Sequence, residues 1–353
     1  MNILIKKFQE LGLEVNLKPE GYYDCEILRA NGQMEKPWAQ PQKNAINPKW
    51  KDNFLNTGTV QSSNGRFLDL LFQSSIGHWM TFGSDAGAIN SYDQAASWTH
   101  FGDRTVNAVV GATNSYDTIG NSATIDPITG NIVMTARMVY VATSAQTIRE
   151  VAFGGAQAWA GSSYGTASRL SRAVLASPIV LNQNDTLFMS YTLVIPSLAV
   201  TPQAVTLAAQ NGMNLSGQLK LVGTVAEIIG GVVSVSGQLS GPTTYTVQSS
   251  SSGGMIYPTW PRWGMSTDAT FPVFNNAATN LAAVAAANTT SQPAYTSGTY
   301  NRNWNGQFSP GARTFRSLSL SQFSGSVGYQ LLLDAAQTQA ADKTLVVSLN
   351  FAI

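Results

Sequence analysis

The segment Asp342–Ile353, DKTLVVSLNFAI, repeats the pattern of Asn184–Ile195, NDTLFMSYTLVI, at a spacing of 158 positions (342 − 184). The two share Thr, Leu, Ser and the final Ile, but their spacing constrains more than their identities. Leu187, Met189, Tyr191, Leu193 and Ile195 alternate with their neighbours, as do Leu345, Val347, Leu349, Phe351 and Ile353. Successive side chains of an extended chain point to opposite faces, so strict period-two alternation predicts a strand with one buried face. A helix would scatter the same residues around its axis. Upstream, TIREVAF (Thr147–Phe153) and TFRSLSL (Thr314–Leu320) precede the two strands, at distances of 37 (184 − 147) and 28 (342 − 314). A loop tolerates that difference of nine at little entropic cost. Two readings are open: chance reuse of Thr, Val and Leu by a β-protein, or two similar β-modules in tandem.

Composition supports strands over helices. Charged residues make up 11% of the 353 residues, against a usual quarter, and the Glu and Lys that normally coat helix surfaces are scarce. Net charge is +1, which offers no electrostatic basis for binding nucleic acid or an anionic membrane. A single cysteine, Cys25, excludes an internal disulfide. MNILIKKFQE places its apolar residues ahead of its lysines, unlike a secretory signal. The apolar run VAEIIGGVVSV is short and carries Glu227, so no bilayer-spanning segment is expected, and the chain reads as soluble and made in the cytoplasm.

Residues 1–52 hold 15 of the 39 charged residues, eight basic and seven acidic. Pro37, Pro41 and Pro48 favour extended chain over Glu35–Lys51, and Ile3, Leu4, Phe8 and Leu11 are helically spaced before Gly12. Asn31-Gly32 predicts a hairpin turn across LRANGQM. The segment reads as an extended N-terminal arm, residues 1–56, that docks on a neighbour through Trp38 and Trp50 or else wraps its own module. From about Thr57 the texture is all-β, with strands expected at Ile132–Val141 and on either side of the Asn182–Asp185 turn. SGQL recurs at Ser216 and Ser236, and NSYD, a turn former, at Asn90 and Asn114. One helix is expected over Ala277–Asn288 from its alanine content. The fold class expected is all-β: tandem β-sandwich, jelly-roll-like modules over 57–197 and 198–353, with at most one or two short helices.

The run TIREVAFGG followed by SRAVLASPIVLNQNDTLFMSYTLVIP resembles structural proteins of tailed-bacteriophage tails. There a T-I-x-E-V-G strand precedes S-R-A-x-L-x-x-P-I-x-V and then G/N-D-T-L. The matching positions are Thr147, Ile148, Glu150 and Val151, then Ser171, Arg172, Ala173, Leu175, Pro178 and Ile179, then Asp185, Thr186 and Leu187. EILRANGQMEKPWAQPQKNAINPKW is similar to the entry segment of such proteins, so the resemblance covers roughly residues 26–197. Ala152 stands where the pattern has glycine. The resemblance implies a virion component of the tail, collar, neck or baseplate, one that holds a fibre in some arrangements, with other virion proteins as partners.

Catalytic motifs point nowhere. GSSYG (Gly161–Gly165) has the spacing of a nucleophile elbow, but both histidines, His78 and His100, lie upstream of it. As a metal pair those histidines have no third His or Cys near them in the sequence; beside Trp79 and Trp98 they read as aromatic packing. Asp117 and Asp126 lack the D-x-D-x-D-G spacing of a calcium loop. No enzyme, cofactor or metal is expected. One stretch could bind: Tyr257, Trp260, Arg262 and Trp263, with Trp304 beyond, form either a platform for a host-surface glycan or a subunit interface, where Trp, Tyr and Arg are enriched. A receptor- or glycan-binding fibre or head decoration is therefore the alternative function. The low surface charge further predicts a homo-oligomer.

Overall fold

The computed structural model describes residues 13–16, 18–46, 69–72, 78–84, 109–113, 115–117, 119–155, 169–208, 214–229, 232–236, 244–248, 262–276, 284–291, 296, 298–299, 301–321 and 327–352. The first strands are β1 (Leu13–Asn16), β2 (Glu20–Leu28), β3 (Met34–Glu35) and β4 (Gln42–Ile46). The short helix α1 (Asp69–Phe72) leads to β5 (His78–Gly83), β6 (Val109–Thr113), β7 (Ser122–Ile125), β8 (Ile132–Val141), β9 (Gln146–Gly155), β10 (Arg169–Leu181) and β11 (Thr186–Ile195). Then come β12 (Gln203–Ala208), β13 (Asn214–Val222), α2 (Val225–Ile229), β14 (Val232–Ser236), β15 (Thr244–Gln248) and β16 (Arg262–Ser266). The chain closes with β17 (Ala285–Ala286), β18 (Thr289–Ser291), β19 (Asn301–Phe308), β20 (Arg313–Ser321), β21 (Gly328–Gln339) and β22 (Leu345–Ala352). The protein is all-β, with two short helices among the described residues.

Alternation decides which face each strand buries. Along β11 every second residue from Leu187 to Ile195 is buried, and Leu345, Val347 and Leu349 of β22 are buried likewise. The first sandwich has one sheet ordered β7-β8-β11-β2 and another ordered β6-β5-β9-β10, and β4 pairs with both β2 and β10 at their shared edge. Its two faces meet where Phe153 of β9 stacks on Tyr191 of β11 at 5.0 Å between ring centroids. Phe82 of β5 lies 5.1 Å from Tyr140 of β8. The second sandwich sets β1-β22-β19-β18 against β12-β13-β21-β20-β16-β17. There Gly306 of β19 is obligatory, because a Cβ on it would sit 2.3 Å from the Trp263 ring of β16.

The two sandwiches share their pairing as well as their architecture. β9–β10 and β20–β21 are antiparallel pairs, and β8–β11 and β19–β22 pair in the opposite sheet. β5 lies beside β9 as β16 lies beside β20. Past β6 the chain crosses to the other sheet and Tyr116 bridges Met138; past β17 it crosses likewise, and Thr290 pairs with Gly306. Even an irregularity recurs. Between Val174↔Glu150 and Ile179↔Ile148 one strand advances five residues while its partner advances two. The same five-against-two bulge separates Leu332↔Ser317 from Gln337↔Phe315. A bulge bends and twists a strand at a chosen point, so its recurrence at the same register favours structural duplication over chance reuse of strand residues.

Two expectations change. Residues 20–46, expected within an extended arm, supply β2 and β4 to the first sandwich. β2 pairs with β11 along nine residues, and Tyr23, Cys25 and Ile27 enter the core. Extended proline-rich chain is equally the chain of a strand and its turns, and here it pairs. The described part of Ala277–Asn288, residues 284–288, contains strand β17 and no helix, because pairing with Gly264 and Met265 overrides alanine's helical preference. The Asn31-Gly32 hairpin forms as expected, with Gly32 at φ 85° and Leu28 facing Met34. The helically spaced residues 3–11 lie outside the described residues.

Candidate functional site

The residues that carry the phage-tail resemblance come together in the first sandwich. Glu150 and Arg172 lie on adjacent strands, and both are interior, 0% and 3% exposed. The Arg172 guanidinium donates through Nε to Glu150 Oε2 at 2.9 Å, and a second, shorter contact runs from its Nη2. A charge taken out of water needs a partner of this kind. At the same register in the second sandwich, Ser317 stands for Glu150 and Gln330 for Arg172, and Gln330 Nε2 donates to Ser317 Oγ at 3.4 Å. One sandwich thus fills the position with an ion pair, the other with a neutral pair.

Ser171 Oγ and Tyr23 Oη are 2.7 Å apart, tying β10 to β2 across the interior. Burial holds the Tyr23 hydroxyl well above its ordinary pKa and pushes Tyr191, beside it, up to about 12. Neither phenol is an acid–base group near neutral pH. Asp185 accepts from the backbone N–H of Asn182 (2.7 Å) and of Ala30 (3.0 Å), and from Arg29 Nη1 (2.7 Å). Those donors, the Asn182 N–H foremost, lower its pKa. Asp185 therefore fastens the Asn182–Asp185 turn to the hairpin between β2 and β3. Nothing in the sequence marked Arg29 or Tyr23 as partners, since they lie 156 and 148 positions from theirs.

Two members of the expected binding platform, Trp263 and Trp304, are not at the surface. Trp263 is 2% exposed and Trp304 is fully buried, and both belong to the core of the second sandwich. Arg262 is exposed beside them, and Tyr257 and Trp260 lie outside the described residues. Tryptophans spaced for display are equally spaced for packing when their strands alternate, and the Trp263 ring fills the space that Gly306 leaves. Trp38, expected as a docking anchor, is buried, and its Nε1 donates to the carbonyl of Ser177 at 3.2 Å. It anchors the chain to its own sandwich. Trp50 lies outside the described residues, as do His100 and Gly161–Gly165; His78 lies in β5.

The two aspartates weighed as calcium ligands are otherwise engaged. Asp117 faces Arg137 Nε at 3.2 Å. Asp126 accepts from Ile128 N–H and Thr129 Oγ1 at 2.9 and 2.7 Å, closing a turn, and these bonds lower its pKa, the Thr129 hydroxyl most. Among the described residues no group of three or more His, Cys, Asp or Glu converges as metal ligands would, and no helix is long and apolar enough to cross a membrane. What the assembled residues can do is hold strands together. Comparison with family models, curated proteins and solved structures finds no match to this chain.

Proposed function

We propose that this chain is a non-enzymatic structural component of a tailed-bacteriophage virion, placed in the tail, collar or neck, or baseplate, where it can anchor a fibre. It acts by assembly, with other virion proteins and further copies of itself as partners, and its place is the particle. The observation that carries this reading is the fate of the resemblance residues. Glu150, Arg172, Ser171 and Asp185 each bind another part of the same sandwich. A pattern whose polar members are consumed in holding strands together is a pattern of architecture. The Glu150–Arg172 pair likewise meets its charges inside the sandwich.

The test is location. Gold-conjugated antibody raised against the recombinant chain, applied to purified particles of the encoding virus, is expected to decorate the tail, neck or baseplate. Gold confined to head or fibre surfaces, or absent from particles, refutes the proposal.

A further inference from the structure

The outward face of β19 and β22 departs from what strands prefer. Trp304, Gly306 and Phe308 of β19 and Leu345, Val347 and Leu349 of β22 are buried, so the residues between them form the other face of the sheet. Register on that face pairs Asn303 with Asn350, Asn305 with Ser348 and Gln307 with Val346. Gln307 is exposed and the other five are half-buried. Asparagine is depleted in strands, because its short amide packs poorly on a pleated surface and competes for neighbouring backbone groups. Three asparagines on one face of a strand pair therefore work against the strands that carry them, and a local rule broken in this way marks a functional position.

The first sandwich shows the same face when its side chains serve the fold. In the corresponding places β8 and β11 carry Thr135 with Thr192, Arg137 with Ser190 and Val139 with Phe188. The two threonine hydroxyls lie 3.0 Å apart, Arg137 donates to Glu26 at 2.8 Å, and its guanidinium lies 4.7 Å from the centre of the Phe188 ring. In the second sandwich the side chains of Asn303, Asn305, Gln307, Ser348 and Asn350 make no hydrogen bond or ion pair among the described residues, and Asn350 Oδ1 accepts none. The face is a set of uncommitted donors and acceptors without charge.

Chemistry narrows the ligand. Nucleic acid is held through Lys and Arg, and these six positions have neither. A protein partner is held by an apolar, aromatic-rich centre, and Val346 is the one apolar member. A carboxamide presents a donor and an acceptor side by side, which suits the neighbouring hydroxyls of a sugar. Same-face residues repeat at about 7 Å along a strand and about 5 Å across the pair, so a short run of sugar rings meets several amides at once. We propose that the outward face of β19 and β22 is a binding site for a neutral glycan, with Asn303, Asn305 and Asn350 as its hydrogen-bonding residues. The site is separate from the buried tryptophans, and it does not rest on the virion reading.

Native electrophoresis of the full chain tests this, in gels cast with dextran, mannan, galactan or β-glucan and in a control gel cast with polygalacturonate. The parent is expected to be retarded by at least one of the neutral polymers. N303T/N350T installs the Thr135–Thr192 pair of the first sandwich at the same register, where the two hydroxyls can bond each other and threonine favours the strand. That variant is expected to keep or raise the melting midpoint of the parent and to lose the retardation. N305S, a smaller change on the same face, is expected to weaken the retardation by itself. A parent retarded by none of the neutral polymers, or by polygalacturonate alone, overturns the proposal, as does retardation of both variants equal to that of the parent.

Discussion

Replacing Arg172 by Leu breaks the most deeply buried ion pair among the described residues. The change removes the guanidinium that donates to Glu150 Oε2 while leaving a carboxylate that is 0% exposed. Removing one partner of a buried ion pair costs about 3–5 kcal/mol, most of it the cost of the charge left behind. In a sandwich of this size that lowers the midpoint of the first sandwich by roughly 10 °C. The second sandwich supplies the compensating change. At the same register it carries Ser317 and Gln330, so E150S/R172Q replaces the ion pair with a neutral pair that this architecture already accommodates. The double variant is expected to lie within about 1.5 kcal/mol of the parent, because a buried ion pair roughly breaks even against a well-fitted neutral substitute. Urea unfolding followed by circular dichroism, with the parent, E150S, R172Q and the double variant, yields the coupling directly, and R172L alongside reports the cost of the stranded carboxylate. If R172L costs under about 1 kcal/mol the stranded-charge argument is wrong, and if the double variant costs as much as R172L the register equivalence of the two pairs is wrong.

Other outcomes follow from single contacts. Gly306→Ala drives a Cβ to 2.3 Å from the Trp263 ring and should destabilise the second sandwich by about 1–3 kcal/mol, as overpacking does, seen as a lowered melting midpoint. Trp304→Ala, at a fully buried site, should cost about 3–5 kcal/mol in the same melt. Asp185 is held below its ordinary pKa. Its stabilisation is therefore present above the unfolded carboxylate value near ~4 and lost as pH falls through the folded value. Stability measured from pH 6 to pH 2 should fall more steeply for the parent than for D185N. Deleting residues 1–52 removes β2, β4 and the buried Tyr23, Cys25, Ile27 and Trp38, so the truncated chain should be insoluble; a soluble, cooperatively folding product contradicts the observed core.

The strands that could be read from sequence were those whose side chains carry their own period. Leu187–Ile195 and Leu345–Phe351 alternate so regularly that the buried face is written in them, and Asn31-Gly32 supplies the left-handed conformation its turn needs. The same alternation stood in GYYDCEIL, with Gly21, Tyr23, Cys25 and Ile27 on one face. It was obscured by the charges on the other face and the prolines that follow, and its partner β11 lies far along the chain. The tryptophans were legible as important but not as buried, because the glycine that makes room for Trp263 sits on a facing sheet. Glu150 and Arg172 both belong to the resembling pattern, yet their closeness depends on a register set by pairing rather than by spacing. Local pattern reaches as far as a strand; facing positions require the fold.

The central proposal is that this chain is a building part of a tailed-phage particle. Quantitative mass spectrometry of gradient-purified particles, from the phage that the proposal implies, tests it most directly. The account predicts peptides from both sandwiches at one fixed ratio to the other tail or neck components, unchanged through repeated purification. Peptides that vanish on purification, or that remain with the lysate of infected cells, contradict it.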